Sequence, residues 1–170
     1  MLRHQRIDSS INLGKFDCAN DDMNSYFHKH AKENDRRGIS SCHLFFNDLE
    51  QLVGYLCWNT ASYGKSGLPK KEASGLPGYP IPSLLISRLA VDSTFKGQGF
   101  GKEILAFAMD TALELSQSAT APGFRLVVVD AIDAAAITFY KKFGFINFID
   151  PPSRLFLPIA TYAKAKSSAV

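Results

Sequence analysis

Glycine recurs at every second position in Lys96-Gly97-Gln98-Gly99-Phe100-Gly101, between an apolar run and an amphipathic one. Upstream, Leu84, Leu85, Ile86, Leu89, Ala90 and Val91, interrupted only by Ser87 and Arg88, read as a buried strand. Downstream, Ile104, Leu105, Ala108, Ala112 and Leu115 recur at helical spacing, predicting a helix over residues 97–115. Glycines remove the Cβ atoms that would keep a ligand from the backbone. A strand feeding a helix through such a loop presents unpaired N–H groups and the positive end of the helix dipole to an anion, typically a phosphate. The alternative use of the same glycines is a tightly packed helix entrance.

Two common phosphate loops do not fit. A P-loop needs Gly, four residues, then Gly-Lys-Ser/Thr, whereas Gly101-Lys102 is followed by Glu103 and preceded at the fifth position by Lys96. The dinucleotide pattern fails because Lys102 or Ile104 stands where its third glycine belongs. The spacing Lys96-x-x-Gly99-x-Gly101 resembles the pyrophosphate loop of the GCN5-related N-acetyltransferases (GNAT), which holds acetyl-coenzyme A. That family more often has Arg or Gln at the position of Lys96; the charge is kept. The resemblance implies cofactor contacts from Leu89, Ala90 and Val91 on the strand and from Lys96, Gly97, Gln98, Gly99, Phe100, Gly101 and Lys102 on the loop.

At 170 residues, 46% hydrophobic and 21% charged, the chain is expected to form one compact domain over residues 1–170. No apolar run reaches a membrane span, and residues 1–10 lack a signal-peptide core. Three cysteines without metal-ligand spacing suggest a reduced, cytoplasmic setting, and the four histidines offer no metal site. A net charge of +3 permits an anionic partner without requiring one.

Taken in order, residues 7–16 are expected to be extended. Asn20 caps a helix with Met23, Tyr26, Phe27, His30 and Ala31 on one face, running to about residue 34. A loop with Arg36 and Arg37 follows, then a hairpin over residues 43–47 and 53–59. Residues 61–82, rich in Gly, Ser and Pro and carrying Lys65, Lys70 and Lys71, read as a long functional or mobile loop. Beyond the central helix, residues 124–130 form a buried strand, Asp133 caps a helix over residues 134–143, and Gly144 ends it. Residues 145–149 and 155–159 are closing strands, and residues 160–170 are expected to fray. The alternation predicts an α/β fold, a mixed central sheet with helices on both faces.

The stretch Asp133 to Phe145 strengthens the resemblance. Ala136, Phe139, Tyr140, Gly144 and Phe145 match the family's A-x-x-F-Y-x-x-x-G-F signature. This implies Tyr140 as general acid for the coenzyme A thiolate, with Asp133, Ala136 and Phe139 beside the pantetheine arm. The family often has Asn where this chain has Asp133. More narrowly, Phe16-Asp17-Cys18-Ala19-Asn20, residues 75–82, Ser87-Arg88-Leu89-Ala90-Val91-Asp92 and Leu155-Phe156-Leu157-Pro158-Ile159 resemble the acetyltransferase toxins of bacterial toxin–antitoxin pairs. That resemblance implies acetylation of the α-amino group of aminoacyl-tRNA, a block on translation, restraint by a ribbon-helix-helix antitoxin, and a homodimer. Two other functions remain open: a housekeeping GNAT enzyme for a small amine or protein N-terminus, and a non-catalytic acyl-coenzyme A-binding module.

No Glu or Asp lies on the central strand before Asp92, so an obvious general base is missing. A lysine-type amine, with a pKa of about 10, needs one; an α-amine starts near about 8, and an adjacent ester lowers it further. The pattern therefore suits an aminoacyl ester, with water as base. Arg36, Arg37, Lys70, Lys71, Lys141 and Lys142 are candidate contacts for a polyanion. Arg88, inside an apolar strand, needs either a structural carboxylate or a substrate phosphate.

Overall fold

Asn20 accepts the Met23 N–H (2.9 Å) and starts the first helix, α1 (Asp21–Lys29). In this computed structural model, which describes residues 1–169, α1 stops short of the expected end. His30 has a non-helical φ of −124° and faces solvent, and a second helix, α2 (Ala31–Arg36), follows with Ala31 fully buried. The opening strand is β1 (Arg3–Arg6), not residues 7–16. It pairs with β2 (Ser41–Phe46) as far as Arg6 opposite His43. Beyond it, the Asp8 and Asn12 side chains accept the N–H groups of Ser10 (2.7 Å) and Gly14 (2.9 Å) and fold the segment into turns.

The remaining elements are β3 (Leu52–Tyr63), α3 (Lys70–Ala73), β4 (Ile81–Val91), α4 (Phe100–Gln117), β5 (Leu126–Asp130), α5 (Ala134–Lys142), β6 (Ile146–Asn147), β7 (Arg154–Pro158) and α6 (Ile159–Ser168). The strands form one seven-stranded sheet in the order β1-β2-β3-β4-β5-β7-β6. β4 and β5 run parallel; β1–β2, β2–β3, β5–β7 and β6–β7 are antiparallel. The sheet is thus mixed, as the alternation of elements predicts. The chain divides into two compact units, the first Met1–Asn59 with Ser87–Ala108 and the second Thr60–Ile86 with Met109 onward.

In the first unit, β2 alternates its side chains between two covered faces. Cys42 and Leu44 join Phe27, Ala31, Tyr55 and Cys57 in a core under α1 and α2. His43 and Phe45 point the other way, to Phe107 of α4, with ring centroids 5.6 and 5.2 Å away. Asp35, 11% exposed in its side chain, accepts from Arg6 Nε (3.1 Å) and from the Cys42 N–H (2.8 Å). It ties α2 to both strands.

In the second unit, Leu126, Val128 and Phe156 form one core face with Leu68, Ile81 and Phe148. The stretch 61–82 is more ordered than its composition suggests. β3 extends through it to Tyr63, a 3-10 turn spans Lys65–Gly67, and α3 follows. Leu68 is 3% exposed, and a Cβ on Gly67 would lie 2.9 Å from the Phe148 ring, so the segment is packed down. Val170 lies outside the described residues, and through Ser168 the tail does not fray either. It forms α6, because Tyr162 Oη (2.7 Å) and Lys166 Nζ (2.5 Å), four residues apart on one helix face, both bond Asp110. Among the described residues no helix is long and apolar enough to cross a membrane.

Candidate active site

β4 ends at Val91, and Asp92 opens the turn that leads to the glycines. The Asp92 carboxylate, 9% exposed, accepts the N–H groups of Asp17 and Thr94 (both 2.9 Å) and the Thr94 hydroxyl. Burial pushes its carboxyl up, but these donors outweigh burial and hold it below the ordinary range. The Ser93 N–H donates to the Asp17 carbonyl (2.8 Å), and Lys96 Nζ donates to the Cys18 carbonyl (2.6 Å). Asp17 itself accepts from the Ala19 N–H (2.8 Å) and Asn24 Nδ2 (2.7 Å). Both ends of the turn are therefore fastened to residues 17 and 18. Lys96 thus fastens the turn through one of the three donors of its ammonium.

Past this anchor the backbone opens. Gly97 (φ +79°) and Gly99 (φ +89°) occupy the left-handed region, and a Cβ on either would meet no atom within 4 Å. Their glycine identity answers to backbone conformation and outward space, not to packing within the protein. The N–H groups of residues 97–101 find no acceptor among the described residues, while those of Lys102 (3.0 Å) and Glu103 (3.3 Å) return to the Gly99 carbonyl. A row of free donors thus stands at the N-terminus of the 18-residue α4, with room in front. The chemistry fits a pyrophosphate.

Leu89, Ala90 and Val91 form the last part of β4, which pairs with β5 only from Ser83 to Ile86. Leu89, Ala90 and Val91 thus lie beyond the paired stretch. Behind Ala90 lies Gly54 of β3, where a Cβ would sit 2.5 Å from the Ala90 carbonyl oxygen and 2.7 Å from Ile104 Cδ1. Gly54 lets β3, β4 and α4 approach closely.

In the second unit, Asp133 caps α5 by accepting the Ala136 N–H (2.7 Å). The cap uses one oxygen of the carboxylate, Oδ1. Tyr140 is 7% exposed, with ring centroids of Phe139 and Phe145 at 5.1 and 5.6 Å. Its hydroxyl has no hydrogen-bond partner among the described residues. Burial alone drives the phenol well above its ordinary value, so it holds its proton.

The cationic candidates separate. Arg36 is exposed but bound to Glu33 (2.7 Å), whereas Arg37, Lys70, Lys71, Lys141 and Lys142 are exposed and form no ion pair among the described residues. Arg88 has no carboxylate partner among the described residues. Its guanidinium stacks 3.8 Å over the Tyr26 ring, Nη1 makes a long bond to the Ser87 carbonyl (3.4 Å), and Nε is buried without a partner. Sequence reasoning missed Asp17 and Gly54. Asp17 acts through tertiary contacts that no local pattern carries; Gly54 was signalled by a lone glycine inside an apolar strand.

Residues 40–147 match the model of an acetyltransferase (GNAT) domain. Over 86% of both chains, the protein is 30% identical to a tRNA-acetylating toxin of Mycobacterium tuberculosis. Among solved structures, it resembles AtaT complexed with acetyl-methionyl-tRNAfMet, with a TM-score of 0.86, 26% identity and coverage of 98% of this chain and 99% of that one. It also resembles AtaTR bound with acetyl-coenzyme A, at a TM-score of 0.82, 27% identity and coverage of 97% and 98%.

Proposed function

The chain belongs to the GCN5-related N-acetyltransferase family, and on that premise we propose that it is a toxin acetylating the α-amino group of an aminoacyl-tRNA, which blocks translation. We take residues 1–170 as one N-acetyltransferase domain, since the family match over 40–147 runs through segments of both units. The observation that carries the reading is the row of free N–H groups at residues 97–101 ahead of α4.

Acetyl-coenzyme A supplies the acetyl group as a thioester. Residues 97–101 hold its pyrophosphate through main-chain N–H groups and the helix dipole, with Lys96 adding charge from behind the loop. Main-chain groups of Leu89, Ala90 and Val91 orient the arm and polarise the carbonyl. Tyr140 keeps its proton until the leaving sulfur, with a thiol pKa near about 8.5, gains charge, and then donates to it. In a dry setting that hydrogen bond is stronger than in water.

The amine must arrive neutral, because the chain offers a poor base. Asp92 is the first carboxylate after β4, and its oxygens are occupied by three donors that hold it below the ordinary range. An α-amine beside an ester loses its proton without such help. Arg88, Arg37, Lys70, Lys71, Lys141 and Lys142, none in an ion pair among the described residues, suit a polyanionic acceptor.

The enzyme would act in the cytoplasm as a homodimer and be neutralised by a ribbon-helix-helix antitoxin. The test is acetylation of charged tRNA in vitro with free amines and peptides as competitors. Transfer to the aminoacyl ester over the competitors supports the reading. Preferred transfer to a free amine or peptide sinks the tRNA assignment, and acetyl-coenzyme A binding without turnover on any acceptor sinks the enzymatic one.

A further inference from the structure

α6 begins without a side-chain cap. Its N-cap is Pro158, the Ile159 N–H goes to the Arg125 carbonyl (3.0 Å), and the N–H groups of Ala160 and Thr161 have no acceptor among the described residues. Ala160 and Thr161 line a cavity of about 500 Å³ that lies wholly within the second unit. Three cations line the same cavity: Lys71 from α3, Arg125 just ahead of β5, and Lys164 within α6. None of them forms an ion pair among the described residues, and a single carboxylate, Glu72, accompanies them.

Like charges gathered around one hollow repel each other, and the free N–H groups of α6 add a further positive pole. No protein group in the cavity balances that excess. A phosphate would, by accepting from the three side chains and the helix start at once. Sequence reasoning reached only Lys71 here. Arg125 and Lys164 are far apart in the chain, and no local pattern joins them.

Resting on the tRNA reading above, we infer that this cavity is a phosphate-binding subsite that grips the sugar–phosphate backbone of the tRNA substrate. It contributes affinity and register but touches no reacting atom. Its cations act on binding, and the acetyl-coenzyme A loop is untouched by them.

The experiment measures binding of aminoacylated tRNA to the full chain at several salt concentrations. In Arg125→Gln/Lys164→Gln the dissociation constant should rise about tenfold near physiological salt. The slope of log affinity against log salt should fall by roughly 0.7–0.9, the change for one phosphate no longer neutralised. Affinity for acetyl-coenzyme A should stay as in wild type, and Arg125→Lys should restore most of the tRNA affinity. Thr161→Glu separates charge from folding. A carboxylate in the first turn of α6 favours the helix dipole, so the thermal midpoint should hold or rise while tRNA affinity falls. If the wild-type chain acetylates charged tRNA and both the double variant and Thr161→Glu bind it normally, the subsite is refuted and the tRNA reading stands. Weakened binding with an unchanged salt slope would also overturn it, by marking a structural role. A wild-type chain that neither binds nor acetylates charged tRNA removes both.

Discussion

The glycine loop and the surroundings of Tyr140, which the proposed mechanism assigns to one cosubstrate, are built by opposite means. The loop is held by polar bonds at its base: Asp92 on Asp17 and Thr94, Ser93 on Asp17, and Lys96 on Cys18. Its working surface is bare main chain. The Tyr140 side chain packs against the Phe139 and Phe145 rings, and its hydroxyl is left without a partner among the described residues. A group that binds charge must be fixed before the ligand arrives, and polar clamps fix it. A group that gives up a proton late must stay dry and protonated, and aromatic packing does that. Substitutions at the first site should therefore act on binding, and those at the second on turnover.

The sharpest break is Tyr140→Phe. It keeps the ring contacts and removes the donor, so turnover on charged tRNA should fall roughly 10²–10⁴-fold with little change in acetyl-coenzyme A affinity. Steady-state kinetics beside calorimetry check both halves, and near wild-type turnover would remove Tyr140 from the mechanism. Next comes Gly99→Asp, which sets a side chain at φ +89° and a carboxylate before the free N–H row. Acetyl-coenzyme A affinity should drop on the order of 10²-fold, as a repelled phosphate and backbone strain together imply. Unchanged calorimetric affinity would place the cofactor elsewhere.

Asp92→Asn probes the clamp. Weakening a buried charged acceptor should cost about 1–3 kcal/mol in denaturant unfolding at neutral pH, with a smaller loss of cofactor affinity. The Asp92 carboxyl is held below its usual range in the fold, so its contribution is present above an unfolded pKa of about 4 and lost as pH falls through the folded value. The gap between wild type and variant should narrow in acid, and a constant gap would assign the effect to packing. The alkaline side tests the other region. Tyr140 has a raised pKa, so its contribution is complete below about 10 and lost as pH climbs above it. The alkaline unfolding midpoint of Tyr140→Phe should therefore shift upward slightly. The smallest effect is expected from Lys70→Ala/Lys71→Ala, a several-fold rise in KM for charged tRNA with a shallower salt dependence. Arg36→Ala should do less, since Glu33 already neutralises it.

The strand, loop and helix around Gly97 were legible because each rule involved spans only a few residues. Period, glycine spacing and cap all sit within one window of sequence, and so do Asp133 and its helix. What escaped was set by distant partners. Lys96 reads as a loop cation, and no local pattern signals its bond to the Cys18 carbonyl, 78 residues away in the chain. Residues 61–82 have loop composition, yet Leu68 and Gly67 are packed at Phe148 and beneath it. α6 looks like a frayed end until Asp110 collects Tyr162 and Lys166. Arg88 was legible only as a question, and its stacking on Tyr26 required the α1 fold.

All three cysteines, Cys18, Cys42 and Cys57, are buried reduced thiols in the first unit, and the second has none. The molecule therefore carries a one-sided clock. A small alkylating reagent can reach these sulfurs only when the core beneath α1 and α2 opens, and it leaves no mark on the half that bears Tyr140. Mass-resolved alkylation over time would give the opening frequency of one half in the intact protein, and any ligand that slows it must stiffen that half.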